Sequence, residues 1–242
     1  MIRHLRARTV LVLLLLPAAG RPAPGRERAE VLGENDRTGR RLQEIADKEK
    51  AAREKPSEER WAEVVDELQG LLGSAGNDLV SAEDGRCVPA RWICHARLAR
   101  LPAEVLARYR LRVERQAQKW LEQGKRERDP EPLRRVIDEA FCSRAAETAL
   151  DLLGDLAFED GHFEKAEHWW GRLVPLEPPD KDQPHREGDP PVYPDPQGDP
   201  ARIRAKQLLA HWFAAGHTRP AEWRRLLGGF RKRHPRAEGH LA

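Results

Sequence analysis

Residues 149–178 read ALDLLGDLAFEDGHFEKAEHWWGRLVPLEP. Leu150, Leu153 and Ala157 recur at i, i+3 and i+7, which places them on one helical face. Asp160-Gly161 interrupts the rhythm. A second period then begins, with Phe163, Ala166, Trp170 and Leu173 on one side. Pro175 and Pro178 stop it, because proline lacks the amide donor and clashes with the preceding turn. Gly154, Ala157 and Ala166 are small where two antiparallel helices must approach closely. Phe163 and Trp170 are large and fill the space beside them. The stretch predicts a helical hairpin.

Outward from this hairpin the pattern stays helical. Upstream, Ser57 caps a run in which Trp61, Val64, Val65, Leu68, Leu71 and Leu72 share one face, closed by Gly73 and Gly76. Glu58 and Glu59 suit the positive end of its dipole. Residues 37–55 form a charged helix with a thin stripe of Leu42, Ile45 and Ala46. Residues 77–89 lose the period. Leu79-Val80 and Cys87-Val88 flank Asp84-Gly85, so a short hairpin is expected near 79–88. Helix resumes after Pro89 with Trp92, Ile93 and Ala96 inward, then Leu98 or Leu101. A longer helix runs from Pro102 to about Gln123, striped by Leu106, Tyr109, Val113, Ala117, Trp120 and Leu121 and ended by Gly124. Asp129-Pro130 opens another, with Leu133, Val136, Ile137, Ala140 and Phe141 in phase.

Downstream, residues 179–200 are crowded with Pro, Gly and Asp and hold only Val192 and Tyr193 as large apolar groups. Proline forbids a sustained helix there, so an extended, solvated loop is expected. Residues 201–235 return to helix, with Ile203, Leu208, Leu209, Trp212 and Phe213, then Trp223, Leu226, Leu227 and Phe230. A tail, 236–242, follows.

Of the 242 residues, 39% are hydrophobic and 34% charged, a balance that suits helices with one buried stripe. Arg3, Arg6 and Arg8, the apolar run Val10–Leu16 and the small residues Ala18-Ala19-Gly20 read as an export signal over residues 1–20. The apolar run is shorter than a membrane-spanning helix requires. An uncleaved anchor is the alternative. Without those residues the formal charge falls from +3 to 0, so the net basicity gives no argument for a nucleic-acid partner. Residues 21–36, rich in Pro, Gly and charge, read as a disordered spacer. Cys87 and Cys94 can close a small loop in an oxidising compartment, while Cys94 and Cys142 also read as buried small apolar residues.

The chain carries no phosphate loop, nucleophile elbow or zinc-protease helix, and no enzyme, metal or cofactor is expected. Cys94-His95 ends like a haem-attachment motif, but Arg91 stands where its first cysteine is required. His162 with His168, and His211 with His217, straddle helix ends and read as surface or loop residues.

The hairpin resembles the tetratricopeptide repeat, a helix–turn–helix unit of 34 residues. Leu153-Gly154, Gly161, Phe163, Ala166, Trp170 and Pro178 fall at that family's characteristic positions. Leu150 stands where Trp is usual, and Leu173 where Ala is usual. The resemblance implies an all-α chain of stacked antiparallel helix pairs over 37–178, with a degenerate pair at 201–235. An ordinary hairpin in an all-α domain has the same local structure. In the repeat family the first helix of each pair lines the ligand groove. Carried over by position, that implies Thr148, Asp151, Asp155, Phe158 and Glu159 as a protein-binding face, acidic with one aromatic anchor. Such a face suits a basic or extended protein segment, against the alternative of plain solvated acids.

Segments over 57–235 also resemble the helical region that precedes the propeller in exported planctomycete proteins with a pyrroloquinoline-quinone-type β-propeller. They include RWAEVVDELQGLL, LARYRLRVERQAQKWLEQG and Tyr193-Pro194-Asp195-Pro196. No blade pattern is present, so that cofactor is not carried over. The expected function is an exported, non-enzymatic scaffold for a protein partner. The alternative is an accessory region of such a propeller protein.

Overall fold

Polar side chains and prolines divide the chain into helices. The computed structural model describes residues 24–82, 85–177, 188–216 and 218–237, with side chains from residue 37 onward. The helices are α1 (Pro24–Glu54), α2 (Glu58–Ala75), α3 (Ala90–Ala99), α4 (Ala103–Glu127), α5 (Pro130–Glu139), α6 (Arg144–Glu159), α7 (Phe163–Leu173), α8 (Pro200–His211) and α9 (Pro220–Arg233). A π-helical turn, Trp212–Gly216, prolongs α8. Strands β1 (Leu79–Ser81) and β2 (Cys87–Pro89) form an antiparallel hairpin with Val80 opposite Val88. Ser57, Asp129, Ser143 and Asp199 cap α2, α5, α6 and α8 by accepting bonds from backbone amides of the first turn.

The fold is all-α, and the packed helix pairs give it a solenoid-like character. Apart from α3 and α4, successive helices pack on one another, with α6 most extensively on α7, then α7 on α8 and α5 on α6. Leu150, Leu153, Ala157, Ala166, Trp170 and Leu173 are all buried, as the hairpin stretch predicts. Trp170 lies against Gly154, where any β-carbon would overlap its indole. One continuous core runs from Leu42 in α1 to Ala210 in α8, while Leu226 and Phe230 of α9 close a smaller one with Ala201, Ala205 and Leu208.

Three expectations are corrected. Residues 24–36, read as a disordered spacer, carry the first turns of α1. Arg, Glu, Ala and Leu dominate that stretch, and their helix propensity outweighs Gly33. Gly124 does not end α4. It is buried inside the helix because Leu133 of α5 occupies the space a side chain would need. The helix ends instead at Arg128, in left-handed geometry with φ of 51°. Residues 188–199 are extended, as expected, but 188–196 are buried or half-buried rather than solvated. The expected signal peptide 1–20, residues 178–187 of the loop, His217 and the tail beyond 237 lie outside the described residues. Among the described residues, no helix is long and apolar enough to cross a membrane.

The loop segment is held by a ladder of bonds. The Tyr193 ring is buried against Phe141, its amide donates to the Arg172 carbonyl (2.7 Å) and its hydroxyl to the Ser143 carbonyl (3.1 Å). Asp195 accepts from Arg110 of α4 and Arg144 of α6. The amides of Gln197 and Gly198 both donate to Glu147 (2.7 and 2.6 Å). Arg86 reaches Asp189 (2.8 Å), and Gly188 fits against Ala82 and Val88 of the hairpin. The two arginines hold the Asp195 carboxyl below the usual range, Arg110 most strongly.

Candidate functional site

The five residues expected to face a ligand lie on α6, and three of them are paired within the chain, two by α8 and one by Arg128 at the end of α4. Asp151 accepts from Lys206 (2.7 Å), Arg202 and the Trp170 indole N–H (3.2 Å). Asp155 accepts from the same Lys206 (2.6 Å), and the ammonium sits 5.3 Å from the Trp170 ring centroid. Burial nevertheless pushes the Asp155 carboxyl upward, against the pull of Lys206. Glu159 pairs with Arg128 at the end of α4. Thr148 stays exposed on the wall of a small cleft of about 230 Å³ between α6, Pro196 and Arg202. The acidic stripe is therefore neutralised within the chain, by α8 and by Arg128.

Phe158 joins a different cluster. Its ring lies 5.2 Å from Phe163, 6.1 Å from Trp170 and 5.8 Å from Phe213, and Phe163 stacks on Phe213 at 5.0 Å. The cluster grades from the buried Trp170 to Phe213, which is 45% exposed. Leu209, one turn earlier, is 48% exposed. The π turn widens the helix at this point and shifts the direction of the side chains that follow. Sequence reading placed Phe213 among the apolar residues of its helix. It missed the exposure, because a π turn leaves no mark in a 3.6-residue period.

A larger groove, of about 640 Å³, lies between α2 and α4 over Trp61, Val65, Val105 and Tyr109. Its cations are already engaged: Arg108 with Glu58, Arg112 with Asp66 and Arg53 with Glu49. The Tyr109 ring is buried and its hydroxyl has no hydrogen-bond partner among the described residues.

The remaining ionisable groups in the interior are quiet. Cys94 and Cys142 are unpaired and buried, and burial raises both thiols to about 12, so neither is a ready nucleophile. Cys87 is exposed and unpaired. His95 donates through Nε2 to the Asp138 carbonyl (3.0 Å), and burial first, then Arg172 and Arg91, lowers its pKa to about 3. Arg172, brought down to about 10 by burial, stacks over Phe141 and Trp169. Among the described residues no three His, Cys, Asp or Glu side chains converge as metal ligands. No family model, curated protein or solved structure matches the chain.

Proposed function

We propose that the chain is an exported, non-enzymatic helical scaffold of tetratricopeptide-like build that binds a protein partner. The contact point is the aromatic edge made by Phe158, Phe163, Phe213 and Leu209. One observation carries this reading. A stacked aromatic cluster, rooted on the buried Trp170, opens to solvent beside the exposed Leu209. Aromatic side chains held rigid before binding lose little entropy on contact and provide most of the affinity at protein interfaces. The partner therefore contributes an apolar or aromatic side chain to this edge. Asp151 and Asp155 do not recruit a basic partner, because Lys206 and Arg202 already satisfy them. Export rests on the basic, apolar and small residues of positions 3–20.

The test is photocrosslinking in the producing cell, with benzoylphenylalanine in place of Leu209 in one strain and of Leu111 in another. Leu111 is 82% exposed but stands alone on α4. A discrete adduct from position 209 and none from 111 supports the aromatic edge. Equal labelling from both, or none from either, counts against it.

A further inference from the structure

Residues 219–236 hold seven of the 43 Lys and Arg but only one of the 40 Asp and Glu. This imbalance disappears in the net charge of the whole chain, yet it is concentrated on one helix. Leu226 and Phe230 are buried against α8 and fix how α9 lies. The cations are left outside. Arg224, Arg225, Arg231, Lys232, Arg233 and Arg236 are all exposed.

Their partners are few. Arg225 pairs with Glu177, and Arg233 donates to the Leu176 carbonyl. Among the described residues Arg224 bonds only to the Pro220 carbonyl of its own helix. Arg224, Arg231, Lys232 and Arg236 have no carboxylate partner among the described residues. Arg224 and Arg231 stand two turns apart, as do Arg225 and Lys232, giving two cationic rows about 10 Å long. Gly228 lies between them, exposed, with nothing near it. The result is a flat, rigid cationic plate.

Neighbouring groups register the same field. Arg204 of α8, half-buried, donates to the Pro175 carbonyl and to Nε2 of His234. Burial and then the Arg233 charge hold the Arg204 pKa down. His234 is lowered by burial, then by Arg204 and Arg233, with Asp199 opposing.

We infer that the outer face of α9 is a docking surface for a membrane bearing anionic phospholipid headgroups. Arginine dominates the plate, and its planar fork matches phosphate oxygens in pairs. Four to eight basic residues on one helix suffice for electrostatic adsorption to an anionic leaflet. The flat face, with a glycine rather than a long side chain at its middle, fits a plane of headgroups. The choice of lipid among polyanions rests on the export reading of residues 3–20, which brings the chain to a membrane.

The test is flotation of the full chain with phosphatidylcholine vesicles and with vesicles containing phosphatidylglycerol, at about 0.1 M and 0.5 M salt. The wild type is expected to prefer the anionic vesicles by on the order of tenfold at low salt and to lose that preference at high salt. Arg224→Gln, Arg231→Gln and Lys232→Gln together should lower it markedly. Arg115→Gln, Lys119→Gln and Arg126→Gln together, on the exposed face of α4, should leave it. Circular dichroism melts confirm that both triple variants fold. Arg3, Arg6 and Arg8 beside the apolar N-terminal run also favour anionic vesicles, but they are common to all these proteins, so the difference in preference between the α9 variant and the wild type reads α9. No preference in the wild type, an unchanged preference in the α9 variant, or tighter binding to duplex DNA at equal phosphate would overturn the inference. Crosslinking at Leu209 reads a different surface, so either idea can fail alone.

Discussion

Gly154 has no side chain because the Trp170 indole occupies that space and donates to Asp151 from it. Gly154→Ala forces the indole away and breaks that bond, so a loss of about 2–3 kcal/mol in urea unfolding is expected. A loss below about 0.5 kcal/mol would mean the hairpin packs differently. His95 gives a second residue-scale prediction. Its folded pKa, about 3, lies below the unfolded value, so the unfolded chain binds the extra proton between the two. Stability therefore falls as pH drops from about 6.5 towards 3, by up to roughly 1.4 kcal/mol per pH unit. Exposed His168 and half-buried His234, also lowered, add to the same slope. His95→Leu should flatten the dependence of the melting temperature over that window. An unchanged slope would place the protonation elsewhere. Gly154 and Trp170 were legible in the sequence, since small and large residues alternate across a helical period. His95 was not, because a buried neutral histidine and an exposed one look alike in a chain.

At the scale of elements, the segment 188–199 shows where composition misleads. Proline, glycine and aspartate forbid regular structure, and none forms there. But tertiary bonds satisfy the extended backbone: Tyr193 fills the core beside Phe141, and Asp195 bridges α4 and α6. Arg110 is largely buried, and that carboxylate compensates its charge there. Tyr193→Ala should cost about 3–4 kcal/mol from the emptied site, and Asp195→Asn about 1–2 kcal/mol, less because the carboxylate is partly exposed. Asp195 also titrates below its usual range. Its contribution is present above the unfolded carboxyl pKa and lost as pH falls through the lower folded value. If both variants melt as the wild type does, the segment is an appendage. The single tyrosine among prolines was the available signal, since a lone large aromatic in a polar loop needs somewhere to be buried. The end of α4 was misread for a related reason. Gly124 marks close contact with Leu133, and glycine serves both close approach and termination.

For the whole molecule, helix pairing followed from periodicity alone, while the state of the inner face depended on which helix came next. Asp151 and Asp155 read as an open acidic groove only while Arg202 and Lys206 are out of view, some fifty residues downstream. Asp151→Lys with Asp155→Lys would set four cations against one another. A loss of about 3–5 kcal/mol, or failure to fold, is expected, so that variant cannot serve as a binding test. A gentler comparison separates the aromatic edge from the acidic groove. Partner recovery by affinity purification and melting temperature are measured together for Phe213→Ser and Asp155→Asn. Phe213→Ser is expected to melt within a few degrees of the wild type and lose the partner, whereas Asp155→Asn keeps it. Partner loss from Asp155→Asn with full recovery by Phe213→Ser would contradict that expectation.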